Sequence, residues 1–318
     1  MEHGEIALFG RFDFASADRE FLDDGKSQPF SLNGQYRGAT FDFSTRLGVF
    51  PGFELQLDLP LRLVSYTADP VILIPTDDPN GFDYYQENVI DLSQSVMGVG
   101  DIRISGRWQL FRSLIVGALE LRLKTPTGYD PPAGTFGRNP KDAEDFLANV
   151  GTYVRPENVE DDVTLGDGQL DLGAAILLGS AFRTGTFVRL DLGGDLRFGG
   201  AGDRVVGNLK LGQLVGDRVL LVVGANADIT VREGDVIGVS VAAIDPTLPA
   251  TEYGGLNNLL LREVRLDRDI FSASAGVILK LSRSAEMTVD YSRIIHGRNV
   301  SEIQSVSVGL GYRFSALP

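Results

Sequence analysis

Apolar residues occupy every odd position of FELQLDLPLRL, Phe53 to Leu63, and Glu54, Gln56, Asp58, Pro60 and Arg62 stand between them. Alternation of period two marks a β-strand, whose consecutive side chains point to opposite faces. Twelve such segments run along the chain, at 4–14, 33–49, 52–68, 92–110, 114–125, 167–180, 186–198, 203–214, 218–231, 268–281, 285–296 and 301–314. The longest apolar runs, such as AAILLG at 174–179 and VLLVVGA at 219–225, fall far short of the roughly 20 residues that a spanning helix needs.

The connections alternate strictly. Five are short: FPG at 50–52, FRS at 111–113, AFRTG at 181–185, VGD at 215–217 and SRS at 282–284. The others, at 15–32, 69–91, 126–166, 199–202, 232–267 and 297–300, include all the long ones. In an antiparallel meander this puts the short turns and both termini at one end and the long loops at the other, the topology of outer-membrane barrels with periplasmic turns and extracellular loops. Eleven residues rising about 3.3 Å each, tilted about 45°, also span the roughly 25 Å of a lipid-facing band. The pattern predicts an all-β fold, a single closed antiparallel transmembrane β-barrel of twelve strands forming one domain over 1–318. A soluble pair of stacked sheets is the alternative, which strict loop alternation disfavours.

One face of the strands collects large apolar residues, among them Leu57 and Leu121. The other collects charges of both signs in nearly equal number, and the predicted channel lining is Glu54, Asp58, Arg62, Arg103, Arg107, Glu120, Arg122, Lys124, Arg189, Asp191, Asp195 and Arg197. A twelve-strand barrel is roughly 24 Å across its backbone, too wide for one layer of side chains to fill, so the charged face belongs inside and wet. There the charges either solvate and cross-brace the lumen, or the arginines face the acids across a constriction and order polar solutes in a transverse field.

Net charge then gains a location. Of the total of −14, loops 15–32, 69–91, 126–166 and 232–267 carry −2, −6, −5 and −3, leaving the rest of the chain at +2. An acidic extracellular rim disfavours nucleic acid as a partner and suits divalent cations beside an anionic outer leaflet of lipid and lipopolysaccharide. Cysteine is absent, which removes disulfides and thiolate metal sites. The opening MEHGEIALFGRF has neither a basic nor an apolar signal region, so an outer-membrane location implies a mature form whose signal peptide is not in this sequence.

Candidate chemistry is sparse. TDDPNGFDYYQE, Thr76 to Glu87, fits the calcium-loop spacing at Asp78, Asn80, Gly81 and Glu87, with Thr76 where the first Asp belongs; a plain PNG turn is the other reading. This calcium ion is the one cofactor the sequence suggests. Only His3 and His296 could serve as a base, and Ser292 beside His296 is thin support for a hydrolase, so the expectation is no enzyme.

The last strand, SVSVGLGYRF, resembles the aromatic-terminated final strand by which outer-membrane barrels are recognised for insertion, although SALP follows Phe314. GVGDIRISGRWQL at 98–110 with LELRLKTPTG at 119–128 resembles a hairpin of the outer-membrane barrel family named for the meta-pathway of phenol degradation. That resemblance implies a transporter of small, often aromatic, compounds, and it assigns no site residues. The reading is an outer-membrane channel for passive passage of small solutes through a charged lumen; the alternative is a noncatalytic structural or secretion barrel that assists export of a cell-surface polymer.

Overall fold

A computed structural model of the chain describes residues 2–69, 71–72, 89–90, 93–128, 141–149, 165–243 and 259–315. Twelve antiparallel strands form its wall: β1 (Glu5–Ala17), β2 (Gln35–Phe50), β3 (Phe53–Thr67), β4 in two pieces (Gln94–Val99 and Ile102–Arg112), β5 (Val116–Thr125), β6 (Leu170–Ala181), β7 (Thr186–Phe198), β8 (Arg204–Val215), β9 (Val219–Thr230), β10 (Asp269–Lys280), β11 (Ala285–Arg298) and β12 (Gln304–Ser315). Each pairs with the next, and β1 pairs with β12 from Glu5↔Ser315 to Ser16↔Gln304, so the sheet closes and has no free edge at that seam. Closure rules out two stacked sheets.

The break in β4 is a β-bulge. Val99 opposes Leu61 and Arg103 opposes Asp58, so Gly100 and Asp101 put one extra residue into β4. A bulge re-aims the side chains beside it, and here it turns Asp101 inward.

Closure also settles which face is wet. Leu57 is 44% exposed and Leu121 59%, both on the outside, whereas Lys124 is 7% exposed on the inside. Apolar residues left uncovered all round a closed wall are an energetic liability in water and none in hydrocarbon. Aromatic rings gather at the short-turn end, where Phe50 stacks on Phe53 at 4.8 Å and Phe53 meets Trp108 edge-on at 6.2 Å. Such a girdle marks a membrane interface.

Residues buried in the ordinary globular sense lie mainly at the long-loop end: Phe21, Leu32, Leu165, Val239 and Leu266. There Arg19–Phe21 pairs with Ser27–Pro29 and with Val300–Ser301, and a hairpin of Val236–Ala243 with Leu259–Arg265 packs on the turn Ser31–Asn33. The sequence pattern treats both regions as irregular loop.

Candidate functional site: the charged lumen

All twelve predicted lining residues stand at inward positions, on β3, β4, β5 and β7. Cations and acids alternate between neighbouring strands and pair sideways along one wall. Arg107 on β4 bonds Glu120 on β5 and reaches Glu54 on β3 at 3.2 Å. Arg122 on β5 passes over β6 to Asp195 on β7 at 2.9 Å. That crossing needs Gly173 on β6, because a Cβ there would collide with the Asp195 carboxylate and lie 3.0 Å from Arg122 Nε. Arg189 pairs with Asp191 at 2.9 Å on its own strand. Asp58 accepts from Gln56 at 2.7 Å and from Ser44.

The wall is densest towards the long-loop end, and several of its members are absent from the predicted lining. Arg204 on β8 touches Asp195, Asp228 and Asp171 at 3.0, 2.9 and 3.5 Å. Lys124 contacts Asp171 at 2.9 Å, Asp101 at 3.5 Å and Asp167; Arg197 contacts Asp171 at 3.2 Å, Asp167 and the Leu266 carbonyl at 3.2 Å. Arg204 was detectable, since residues 204, 206, 208 and 210 share the inward phase. Asp167 and Arg268 open the alternating segments 167–180 and 268–281, but the strands begin only at Leu170 and Asp269, so alternation does not fix the direction of either side chain.

Residues 165–169, just before β6, form a short strap inside the barrel. Leu165 packs on Val64 with Tyr36, Tyr66 and Val96 around them, and its carbonyl accepts from Arg62 Nη1 at 3.0 Å. Asp101 takes the backbone N–H of Gly128 at 3.0 Å and of Asp167 at 3.3 Å, tying the two ends of the 126–166 connection together. Burial works against the charge of the Asp167 carboxyl, but Lys124 and Arg197 outweigh it and hold its pKa down at about 2.

Below the strap a cavity of about 380 Å³ is walled by Asp58, Arg103, Arg107, Glu120, Arg122, Lys124, Arg204, Asp228 and Arg268 among others. The opposite wall differs in kind. Inward positions of β10, β11 and β12 include Ser272, Ser274 and Gly276, then Thr288 and Ser292, then Ser305, Ser307, Gly309 and Gly311, with Ile278, Lys280, Glu286 and Asp290 among them.

The proposed calcium ligands Asp78, Asn80 and Glu87 lie outside the described residues. Among the described residues, no three His, Cys, Asp or Glu side chains converge as a metal site. His296 sits between the rings of Phe21 and Phe271, while Ser292 bonds Ser305 at 2.9 Å, so the two do not form a nucleophile and base.

No protein-family model matches the chain, and no curated protein sequence does. Solved structures do. The crystal structure of the COG4313 outer membrane channel from Pseudomonas putida F1 aligns with 99% of this chain and 97% of its own at a TM-score of 0.60 and 9% identity. The translocator domain of autotransporter NalP from Neisseria meningitidis aligns over 99% and 90% at 0.44 and 13%, and the KdgM porin in complex with disordered oligogalacturonate over 97% and 99% at 0.42 and 8%. The first of these likenesses, together with the closed twelve-strand wall and its apolar outer band, establishes that the chain has the fold of a bacterial outer-membrane β-barrel.

Proposed function

We propose that this protein is an outer-membrane channel through which small solutes pass down a charged lumen. One observation carries the reading: apolar side chains are exposed on the outside of a closed wall whose inside holds a cavity of about 380 Å³ lined by ionic groups. Protein that only braced a membrane would gain nothing from buried charges, which are costly to desolvate. The lateral pairing keeps long side chains against the wall, and Arg103, which makes no hydrogen bond or ion pair among the described residues, faces the cavity. The resemblance of the 98–128 hairpin to the meta-pathway family supports small organic compounds as the solute class, and the acidic loops suit lipopolysaccharide bridged by divalent cations as the outer-leaflet partner.

Reconstitution in planar bilayers tests this. Stepwise ion conductance is the expected result, from protein whose gel mobility shifts on boiling, as closed barrels do. The packed loops at the extracellular end, with Leu32 and Val239 buried, favour one rival, a sealed structural or secretion barrel. Complete absence of current from heat-modifiable protein would decide for that rival.

A further inference from the structure

We propose that Leu165 occupies a solute-binding site of the lumen, built to take a small carboxylate with a branched or ring-shaped apolar body. The use of such a site in transport rests on the channel reading above; the binding itself does not.

Beside the charged wall the lumen carries an apolar patch of Tyr36, Val64, Tyr66 and Val96, the one around which a buried apolar cluster forms among the described residues. No wall residue fills it. Leu165 does, 2% exposed, and it arrives from the strap. Gly98 forms the floor, since a Cβ there would stand 2.6 Å from Leu165 Cδ1. At the rim lies Arg62, whose Nη1 donates to the Leu165 carbonyl at 3.0 Å while its buried Nε has no partner. Among the described residues the only acceptor of this guanidinium is a neutral carbonyl, and no carboxylate pairs with it; a ligand carboxylate in place of that carbonyl would meet the unmatched charge with a charge-assisted hydrogen bond.

Apolar walls with a few convergent polar groups are the usual make-up of a small-molecule site. Here the Leu165 side chain and carbonyl imitate the two halves of the ligand. The patch sits near the extracellular end of the charged wall, where an incoming solute arrives first. Lys124 and Arg197 hold the strap through Asp167, so a solute competes with a tethered piece of the chain itself, and its apparent affinity is lowered by the fraction of time the site is self-occupied.

Calorimetric titration of the full-length chain in detergent, with 4-methylpentanoate and with acetate, tests the site. Leu165→Gly is expected to bind 4-methylpentanoate about tenfold more tightly than the unaltered chain, with no gain for acetate. Asp167→Asn, which loosens the strap without touching the patch, moves affinity the same way. Adding Arg62→Gln to Leu165→Gly removes the gain, because the cation that meets the carboxylate is gone. If Leu165→Gly binds 4-methylpentanoate no better than acetate, or the Arg62→Gln double variant binds as well as Leu165→Gly, the proposal is wrong. Bilayer conductance separates it from the channel reading: current without binding sinks the site alone, and binding without current sinks the channel alone.

Discussion

The two halves of the barrel solve one problem by different means. From β3 to β8, β6 apart, many inward positions are large and ionic, and the strands are laced by Arg107, Arg122, Lys124, Arg197 and Arg204 to seven carboxylates at separations of 2.9–3.7 Å where the contacts are of ordinary length. From β10 to β12 serine, threonine and glycine prevail, with charges fewer and spread apart, Lys280, Glu286 and Asp290 here and Arg11 and Asp13 on β1. There a glycine leaves a hollow that a side chain from the adjoining strand fills: Phe9 and Thr288 lie over Gly309, and Asp290 lies over Gly276. One half is held by charge in a low-dielectric interior, the other by contact. The first should respond more strongly to acid and to loss of a single cation, and Gly309 in the second to an added methyl group without regard to pH.

The largest effect is expected from Arg204→Met. It leaves Asp228 without its cation and weakens the pairing of Asp171 and Asp195, and uncompensated buried charge typically costs about 3 kcal/mol or more. Urea unfolding followed by the fluorescence of Trp108, the one tryptophan and 57% exposed on the outer face, measures it. A variant as stable as the parent would mean that the ionic half is not held by its ion pairs.

Acid provides the next test. The Asp167 pKa falls from 3.8 to about 2 on folding, so its contribution is fully present above about pH 4 and disappears as pH drops through about 2. That shift corresponds to roughly 2 kcal/mol. The stability gap between the parent and Asp167→Asn should therefore be open at pH 5 and close as the pH falls to 2; a gap that stays constant would exclude titration of Asp167 as its source.

The smallest effect belongs to the half rich in serine and glycine. Gly309→Ala places a Cβ 2.6 Å from both Phe9 Cζ and Thr288 Oγ1. Both are ends of side chains that can move, so the cost is about 1 kcal/mol, and it should be the same at pH 5 and pH 3. Dependence on pH would show that the two halves are coupled.

Much of this was readable from residue order. Period-two alternation located all twelve strands, because a wall with lipid on one side and water on the other demands it at every position. The bulge at Gly100–Asp101 was also written in the chain: outward apolar residues fall at Met97 and Val99, then at Ile102 and Ile104, a change of phase across two residues. The pairing scheme was not legible, since alternation assigns a face to Arg122 but not the partner two strands away that Gly173 permits. Nor was the strap. Leu165 lies outside the alternating segments and Asp167 is only the first residue of one, so alternation fixes neither; contacts with β3, β4, β5 and β7 place them.

Asp101 draws Gly128 and Asp167 so close that a Cβ on Gly128 would lie 2.7 Å from the Gly166 nitrogen. The chain thus leaves the wall after β5 and rejoins it before β6 at a single point clasped by one carboxylate, so removing the Asp101 side chain would unfasten both ends at once.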